Sequence, residues 1–354
     1  MPAAFFPPVT PTPGFVRADP SRVLEFPADY GAHPEFQTEW WYYTGNLQGA
    51  DGRRFGYQLT FFRRALIPPG EIPARSSRWA VNQVYMAHFA ITDVDGRSFR
   101  YAERFSRGAA GLAGAQIAPY RVWLEDWEAK EVEVGTRHLR ATDGDVAIDL
   151  SLIDQKGPIL HGERGYSRKG PEPGNASHYY SLTRLTTTGI VSLAGKVYPV
   201  VGASWMDHEF STSALGANQV GWDWFALQLD DGRELMLFQI RQANGRVDPV
   251  SSGTLIESNG KIIALTQNDF HIDSTAVWHS LVSGADYPAR WTIRLPSMDM
   301  TLEVEPYLAN QELRVSFTYW EGAVSIRGKS AGRPVRGSGY VELTGYAASM
   351  QGQF

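Results

Sequence analysis

The chain has 354 residues, a formal net charge of −5, no cysteine, and 12% aromatic side chains. No cysteine means no disulfide scaffold, thiol nucleophile or thiolate metal ligand. A net negative charge leaves no basic footprint for nucleic acid or an anionic membrane. With 43% hydrophobic and 20% charged residues, wholesale disorder is excluded, and the length suits two domains or one large one.

Met1 to Gly14 is Pro-rich and lacks the basic and then apolar pattern of a signal peptide. No apolar run reaches the length of a transmembrane helix. Residues 1–32 read as an extended, poorly ordered lead-in. Strand-like runs follow at Trp40–Leu47, Phe55–Arg63, Val81–Thr92, Val146–Ile153, Tyr179–Thr186, Lys196–Ala203, Val220–Leu229, Glu234–Arg241, Ala323–Gly328 and Gly339–Thr344. They are short, rich in aromatic and β-branched residues, and broken by turn signals. Asp-Gly-Arg stands between such runs at Asp51–Arg53, Asp95–Arg97 and Asp231–Arg233. Each reads as a hairpin with Gly supplying a positive φ. Gly108–Ala118 is Ala-rich, but its glycines argue against a helix. The fold class is therefore all-β.

Trp40–Leu47, the turn at Asp51–Arg53 and the strand after it resemble Trp222–Leu229, the turn at Asp231–Arg233 and its following strand. The two lie about half a chain apart, as two related halves would place them. Sheets of this size hide their edges by closing into barrels or packing as sandwiches.

Three segments combine acids, histidines and aromatics at strand spacing. In Glu39–Tyr43, alternation puts Glu39, Trp41 and Tyr43 on one face and Trp40 and Tyr42 on the other. A carboxyl group beside an indole has its pKa raised by desolvation and can donate a proton. The alternative is that Glu39 pairs with an arginine while the aromatics form core. In Trp205–Phe210, Asp207 and Glu209 share a face with Trp205, and His208 points away. Two carboxylates at this spacing can push one pKa upward; an ionic lock is the bland alternative. In Ser177–Ser181, His178 and Tyr180 share a face and could hold water or orient a carboxyl group. Trp222 and Trp224 also share a face, with Asp223 opposed; ordinary core packing is the alternative. His88 is a weaker candidate. Adjacent strand residues diverge, so no metal site is expected. There is no Gly-x-Ser-x-Gly elbow, P-loop, dinucleotide fingerprint or His-Glu-x-x-His, and no cofactor is expected.

The segment His33–Leu47 resembles the N-terminal signature of the AttH-like family, whose relatives include the carotenoid 1,2-hydratases (hydroxyneurosporene synthases). The similarity extends to Trp205–Phe210, Gly221–Phe225, Tyr319–Val324 and Gly337–Gly345. It implies two lipocalin-like β-barrel or half-barrel domains, at 33–203 and 204–354 after the lead-in, with a hydrophobic cavity. It also implies acid-catalysed addition of water to an isoprenoid-type double bond. On that pattern Asp207 matches the acid, and His178 and Tyr180 match an upstream His-x-aromatic pair. Trp205, Trp222 and Trp224, with Glu39, Trp41 and Tyr43, are expected around the substrate. Glu209-Phe210 departs from the hydratases' continuation, which weighs against a carotenoid. The alternatives are a non-catalytic carrier of a lipophilic molecule beside an ABC-type transport system, or a pericyclase-like enzyme. The resemblance favours a periplasmic or secreted protein. A carrier predicts that Asp207 is capped by an arginine; chemistry predicts that it faces an apolar cavity.

Overall fold

The first Asp-Gly turn joins strands Thr38–Gly49 and Arg54–Ala65, with Gly52 at φ +85. The third joins Gln219–Leu229 and Glu234–Gln242, with Gly232 at φ +84. The second, at Asp95–Arg97, differs: Arg97 carries the positive φ of 51. Gly96 is required there for space, because a Cβ would lie 2.0 Å from the Asp93 carboxylate.

The computed structural model describes residues 12–71, 82–212 and 215–352. Val81 and the first eleven residues of the lead-in fall outside them. The described residues form two antiparallel sheets and no α-helix. The first sheet runs Ser98–Arg107, Gln83–Asp93, Arg54–Ala65, Thr38–Gly49, Lys196–Ser211, Ala176–Leu193, Val146–Asp154, Thr136–Asp143, Trp127–Glu133, Arg121–Leu124 and Ala113–Gln116. It curls into a nearly closed barrel. Across its seam Arg104 Nη2 donates to the Thr142 carbonyl (2.9 Å). The second sheet, a half-barrel, runs Ile262–Thr266, Ser252–Ile256, Glu234–Gln242, Gln219–Leu229, Arg333–Leu343, Thr318–Ser330, Met300–Pro306, Asp286–Leu295 and His271–His279.

Both sheets share one plan. Each opens with an Asp-Gly hairpin, and the last long strand of each half returns to pair with the first strand of that hairpin. The repeated sequence pattern therefore occupies equivalent places. The expected boundary at 203/204 lies inside Lys196–Ser211, which belongs wholly to the first sheet; the second sheet begins at Gln219. A composition shift cannot mark this point, because the strand is needed to close the first sheet.

The expected order of the lead-in is corrected as well. Its described part, from Thr12, packs on the barrel, with Phe15 and Leu24 buried. Val16 N–H bonds the Glu35 carbonyl (2.9 Å). Phe26 and Tyr30 close on Tyr180 at 4.9 and 6.1 Å between ring centroids. Burial of these apolar groups offsets the ordering cost that a Pro-rich segment implies. Trp41, Tyr43, Tyr57, Tyr120 and Trp127 fill the barrel interior.

A separate buried cluster lies between the two sheets. It joins Tyr42, Tyr179 and Trp205 of the first to Trp224, Phe238 and Tyr340 of the second. Gly56 permits this approach: a Cβ there would meet the Ala323 Cβ at 2.4 Å. Buried hydrogen bonds cross the seam from Thr92 Oγ1 to Gln311 Oε1 (2.7 Å) and from Gln228 Nε2 to the Ser204 carbonyl (3.0 Å).

Candidate active site

The central strands of the first sheet are covered on both sides, by the barrel interior and by the second sheet. Alternation therefore sorts their side chains between two buried environments. Register aligns the set on the second-sheet side. Tyr42 opposes Asp207 and Trp40 opposes Glu209 on one flank. Ser181 opposes Asp207 and Tyr179 opposes Glu209 on the other.

These groups line a cavity of about 140 Å³ between the sheets. The first sheet supplies Trp40, Tyr42, Phe62, Tyr179, Asp207 and Glu209. The second supplies Trp222, Trp224, Phe238, Ile240 and Glu342. The expected cavity is thus present, but between the sheets rather than inside the barrel, where bulky side chains occupy the space.

Asp207 is 4% exposed. Its Oδ1 accepts from Trp205 Nε1 (2.6 Å) and from the Ser181 hydroxyl. Its Oδ2 accepts from the Tyr179 hydroxyl (2.7 Å), whose oxygen accepts from Trp224 Nε1 (3.0 Å). Burial pushes the carboxyl group up to about 7, against the lowering effect of Ser181, Tyr179 and Trp205. Desolvation outweighs three donors because all three are neutral and the cavity's Lys169 is paired with Glu209. Oδ2 has one partner and Oδ1 has two, so Oδ2 is the oxygen with room for a proton.

Behind Ser181 stands His161, which the sequence reading missed. Its Nε2 lies 2.6 Å from Ser181 Oγ and its Nδ1 lies 2.8 Å from Thr254 Oγ1, on the second sheet. Burial first, then the Lys169 charge, lower its pKa to about 3, so the ring is neutral. It lies in an irregular loop segment, without periodicity to mark it. Glu209 accepts from the Ser177 hydroxyl and pairs with Lys169 Nζ at 2.9 Å. The ionic alternative therefore describes Glu209 and not Asp207.

The structure places Asp207, Trp222 and Trp224 on this cavity and Trp205 beside it, with its indole bonded to Asp207. Trp205 and Trp224 meet edge-to-face at 6.4 Å, and Tyr42 meets Trp224 at 5.1 Å. It does not bring His178, Tyr180, Glu39, Trp41 or Tyr43 to this cavity; all five face the barrel interior. Tyr180 bonds His208 Nδ1 (2.8 Å). His178 Nε2 accepts from the Asp19 N–H (3.5 Å). Glu39 accepts from Arg63 Nε (2.8 Å) and meets His33 Nδ1 (2.7 Å) and His208 Nε2 (2.8 Å). Burial would raise its pKa, but Arg63 and the histidines hold it well below the ordinary carboxylate range. Glu39 is thus an arginine partner rather than a neutral acid. His33, Glu39 and His208 are close enough to share a metal ion, but their ligand atoms are already hydrogen-bonded to one another and to Arg63. Their chemistry is that of an ionic lock. His88 bonds Tyr319 Oη (2.6 Å) and Glu103 (2.9 Å), away from the cavity. Trp40, Tyr42 and Tyr179 replace the members expected one residue away. Glu342 and Glu321, also missed, bring two further acids to the second-sheet side.

The fold and site define a two-sheet β protein with a buried acid, held by three neutral donors, in an aromatic cavity between its sheets. The chain belongs to the AttH-like family, whose profile matches residues 17–346. A protein assigned as AttH from Nitrosomonas europaea, known from its crystal structure, is 34% identical with a TM-score of 0.84, covering 94% of this chain and all of that one. Kievitone hydratase from Nectria haematococca has the same fold, at 14% identity and a TM-score of 0.69, covering 97% and 98% of the two chains. The dehydratase asqC from Emericella nidulans is 22% identical over 218 residues, 59% of this chain and 61% of that protein. The match thus spans less than two thirds of that relative.

Proposed function

We propose that the cavity catalyses addition or removal of water at an apolar, isoprenoid-type substrate, with Asp207 moving the proton. The observation that carries this reading is a buried carboxyl group on an aromatic-walled cavity, held by three neutral donors, while the cavity's Lys169 pairs with Glu209 instead. Burial pushes that carboxyl group up to about 7. At that value the neutral and ionised forms are both populated near neutral pH, as a reversible hydration requires. Two relatives support the reaction class by name, one a hydratase and one a dehydratase.

In the hydration direction, the Asp207 O–H bond breaks and a C–H bond forms at one alkene carbon. The more substituted carbon becomes a cation. Faces of Trp222, Trp224 and Tyr42, which line the cavity, can stabilise it by roughly 2 kcal/mol each when desolvated. Water then bonds to that carbon and sheds a proton. A cavity of about 140 Å³ takes one ring or one branched five-carbon unit, because a similar dry cavity of about 150 Å³ holds benzene. A longer lipophilic chain therefore enters by its end. The departure at Glu209-Phe210 keeps the substrate class at terminal isoprenoid units in general rather than carotenoids.

The test is turnover of a panel of terminal isoprenoid alkenes in heavy-oxygen water, followed by mass spectrometry. The wild type gains one labelled hydroxyl, and Asp207→Asn loses at least about a hundredfold in rate. Equal rates in the two proteins contradict the reading. Binding of every alkene without turnover by the wild type contradicts it too, and leaves a carrier of lipophilic molecules.

A further inference from the structure

Glu321 and Glu342 face each other directly across the strands Thr318–Ser330 and Arg333–Leu343. Glu321 is fully buried, while Glu342 keeps part of its surface open and lines the cavity from the second sheet. Asp207 lines the same cavity from the first sheet. The Tyr42 hydroxyl donates to Glu321 Oε2 (2.7 Å), and Trp222 Nε1 donates to Glu342 Oε1. The two carboxyl groups stand side by side on adjacent strands and act on each other electrostatically. Ionised carboxylates only accept, so two such groups side by side can hydrogen-bond only when one carries a proton. Glu321 Oε1 is buried and accepts no hydrogen bond from the described residues. The titratable groups around the pair are Tyr42 from the first sheet, Tyr319 and Tyr340 from the second, and Glu209 across the cavity. Lys169, which lines the same cavity, pairs with Glu209 (2.9 Å) rather than with either member of the pair. Two adjacent buried anions repel strongly, and retaining one proton relieves that repulsion.

We propose that Glu321 and Glu342 share one proton and form the cavity's second proton-transfer site, taking the proton shed by the adding water. This rests on the reading of Asp207 as the first. The balance is complete. One proton passes from Asp207 to carbon, and one passes from water oxygen to the pair. The enzyme then holds an ionised Asp207 and a doubly protonated pair. One proton returned through a water molecule or the product hydroxyl resets both. That return costs little, because burial pushes Glu342, like Asp207, up to about 7. Dehydration runs the same steps in reverse. The two sites stand on different sheets, so proton delivery and proton removal need not compete for one oxygen.

Infrared spectroscopy of the full chain in deuterated buffer tests the pair without a substrate. Tert-amyl alcohol, the hydrate of a five-carbon alkene, serves as the probe. The wild type at neutral pH shows two acid carbonyl bands that outlast ordinary carboxyl groups. Asp207→Asn removes one. Glu342→Gln and Glu321→Gln each displace or remove the other, and tert-amyl alcohol shifts that same band in the wild type. Each glutamine variant reports by itself should the other fail to fold. A second band untouched by either glutamine substitution, altered by only one of the two when both fold, or insensitive to the alcohol overturns the pair. Absence of the band sensitive to Asp207→Asn counts against the first site alone and leaves the shared proton standing.

Discussion

Asp207 is held by three donors yet has a raised pKa, so its hydrogen bonds orient it more than they ionise it. This has a measurable consequence for stability. The unfolded carboxyl group titrates at 3.8 and the folded one at about 7. Between these values the native state binds more protons than the unfolded state. Stability is therefore full below 3.8 and falls as pH rises through about 7. The interval corresponds to at most ~4 kcal/mol. Denaturant titrations of wild type and Asp207→Asn across this range should show the variant gaining on the wild type as pH rises. A constant difference would contradict the raised pKa. Asp29 titrates in the opposite sense. Burial raises it, but hydrogen bonds from His33, the Glu25 backbone and Arg22 bring it down to about 2. Its contribution is present above 3.8 and disappears as pH falls through about 2.

At the scale of elements, the sequence shows where strands form but not which face looks into the cavity. Trp205, Asp207 and Glu209 are legible as one face, and Trp222 and Trp224 as another. Thr38–Gly49 and Ala176–Leu193 are different. The first is buried on nearly every residue, and the second without a break from Ala176 to Thr183. A strand covered on two sides has no polar face to break the symmetry, so Trp41 and Trp40 look alike until a partner sheet is placed. The same double cover hides Glu342, which in an ordinary strand would read as solvent-facing. Strands such as Trp127–Glu133 and Thr136–Asp143 escape notice for the opposite reason. Their outward positions carry charges, which dilutes the aromatic and β-branched signal. Close approach of the sheets is concentrated where Gly56 meets Ala323. Gly56→Ala should cost about 1–3 kcal/mol by overpacking, and Ala323→Gly in the same chain should recover much of that loss. Thermal melts of the single and double variants check this. A neutral Gly56→Ala would show that the sheets are not seated as described.

At the scale of the whole molecule, each sheet has its own core, but the cavity belongs to neither alone. Asp207, Tyr179 and Tyr42 come from the first sheet, and Trp224 and Glu342 from the second. The buried cross-sheet bonds Thr92–Gln311, Gln228–Ser204 and Tyr42–Glu321 lose their partners if one half opens. Heat unfolding followed by near-ultraviolet and far-ultraviolet circular dichroism should therefore show one coincident transition. Two separated transitions would mean that the halves are weakly coupled and the cavity loosely defined. The related plan of the halves explains how this arrangement arises. Each opening hairpin presents its aromatic face to the other, so two equivalent elements enclose a site that one could not.

The most direct test of this account is the titration of Asp207 itself. Carbon-13 labelling of aspartate, with Asp207→Asn to assign the resonance, follows its side-chain carboxyl carbon by nuclear magnetic resonance as pH is varied. A midpoint near 7 is predicted. A midpoint at or below the ordinary value of 3.8 would contradict it, and the proposed proton chemistry with it.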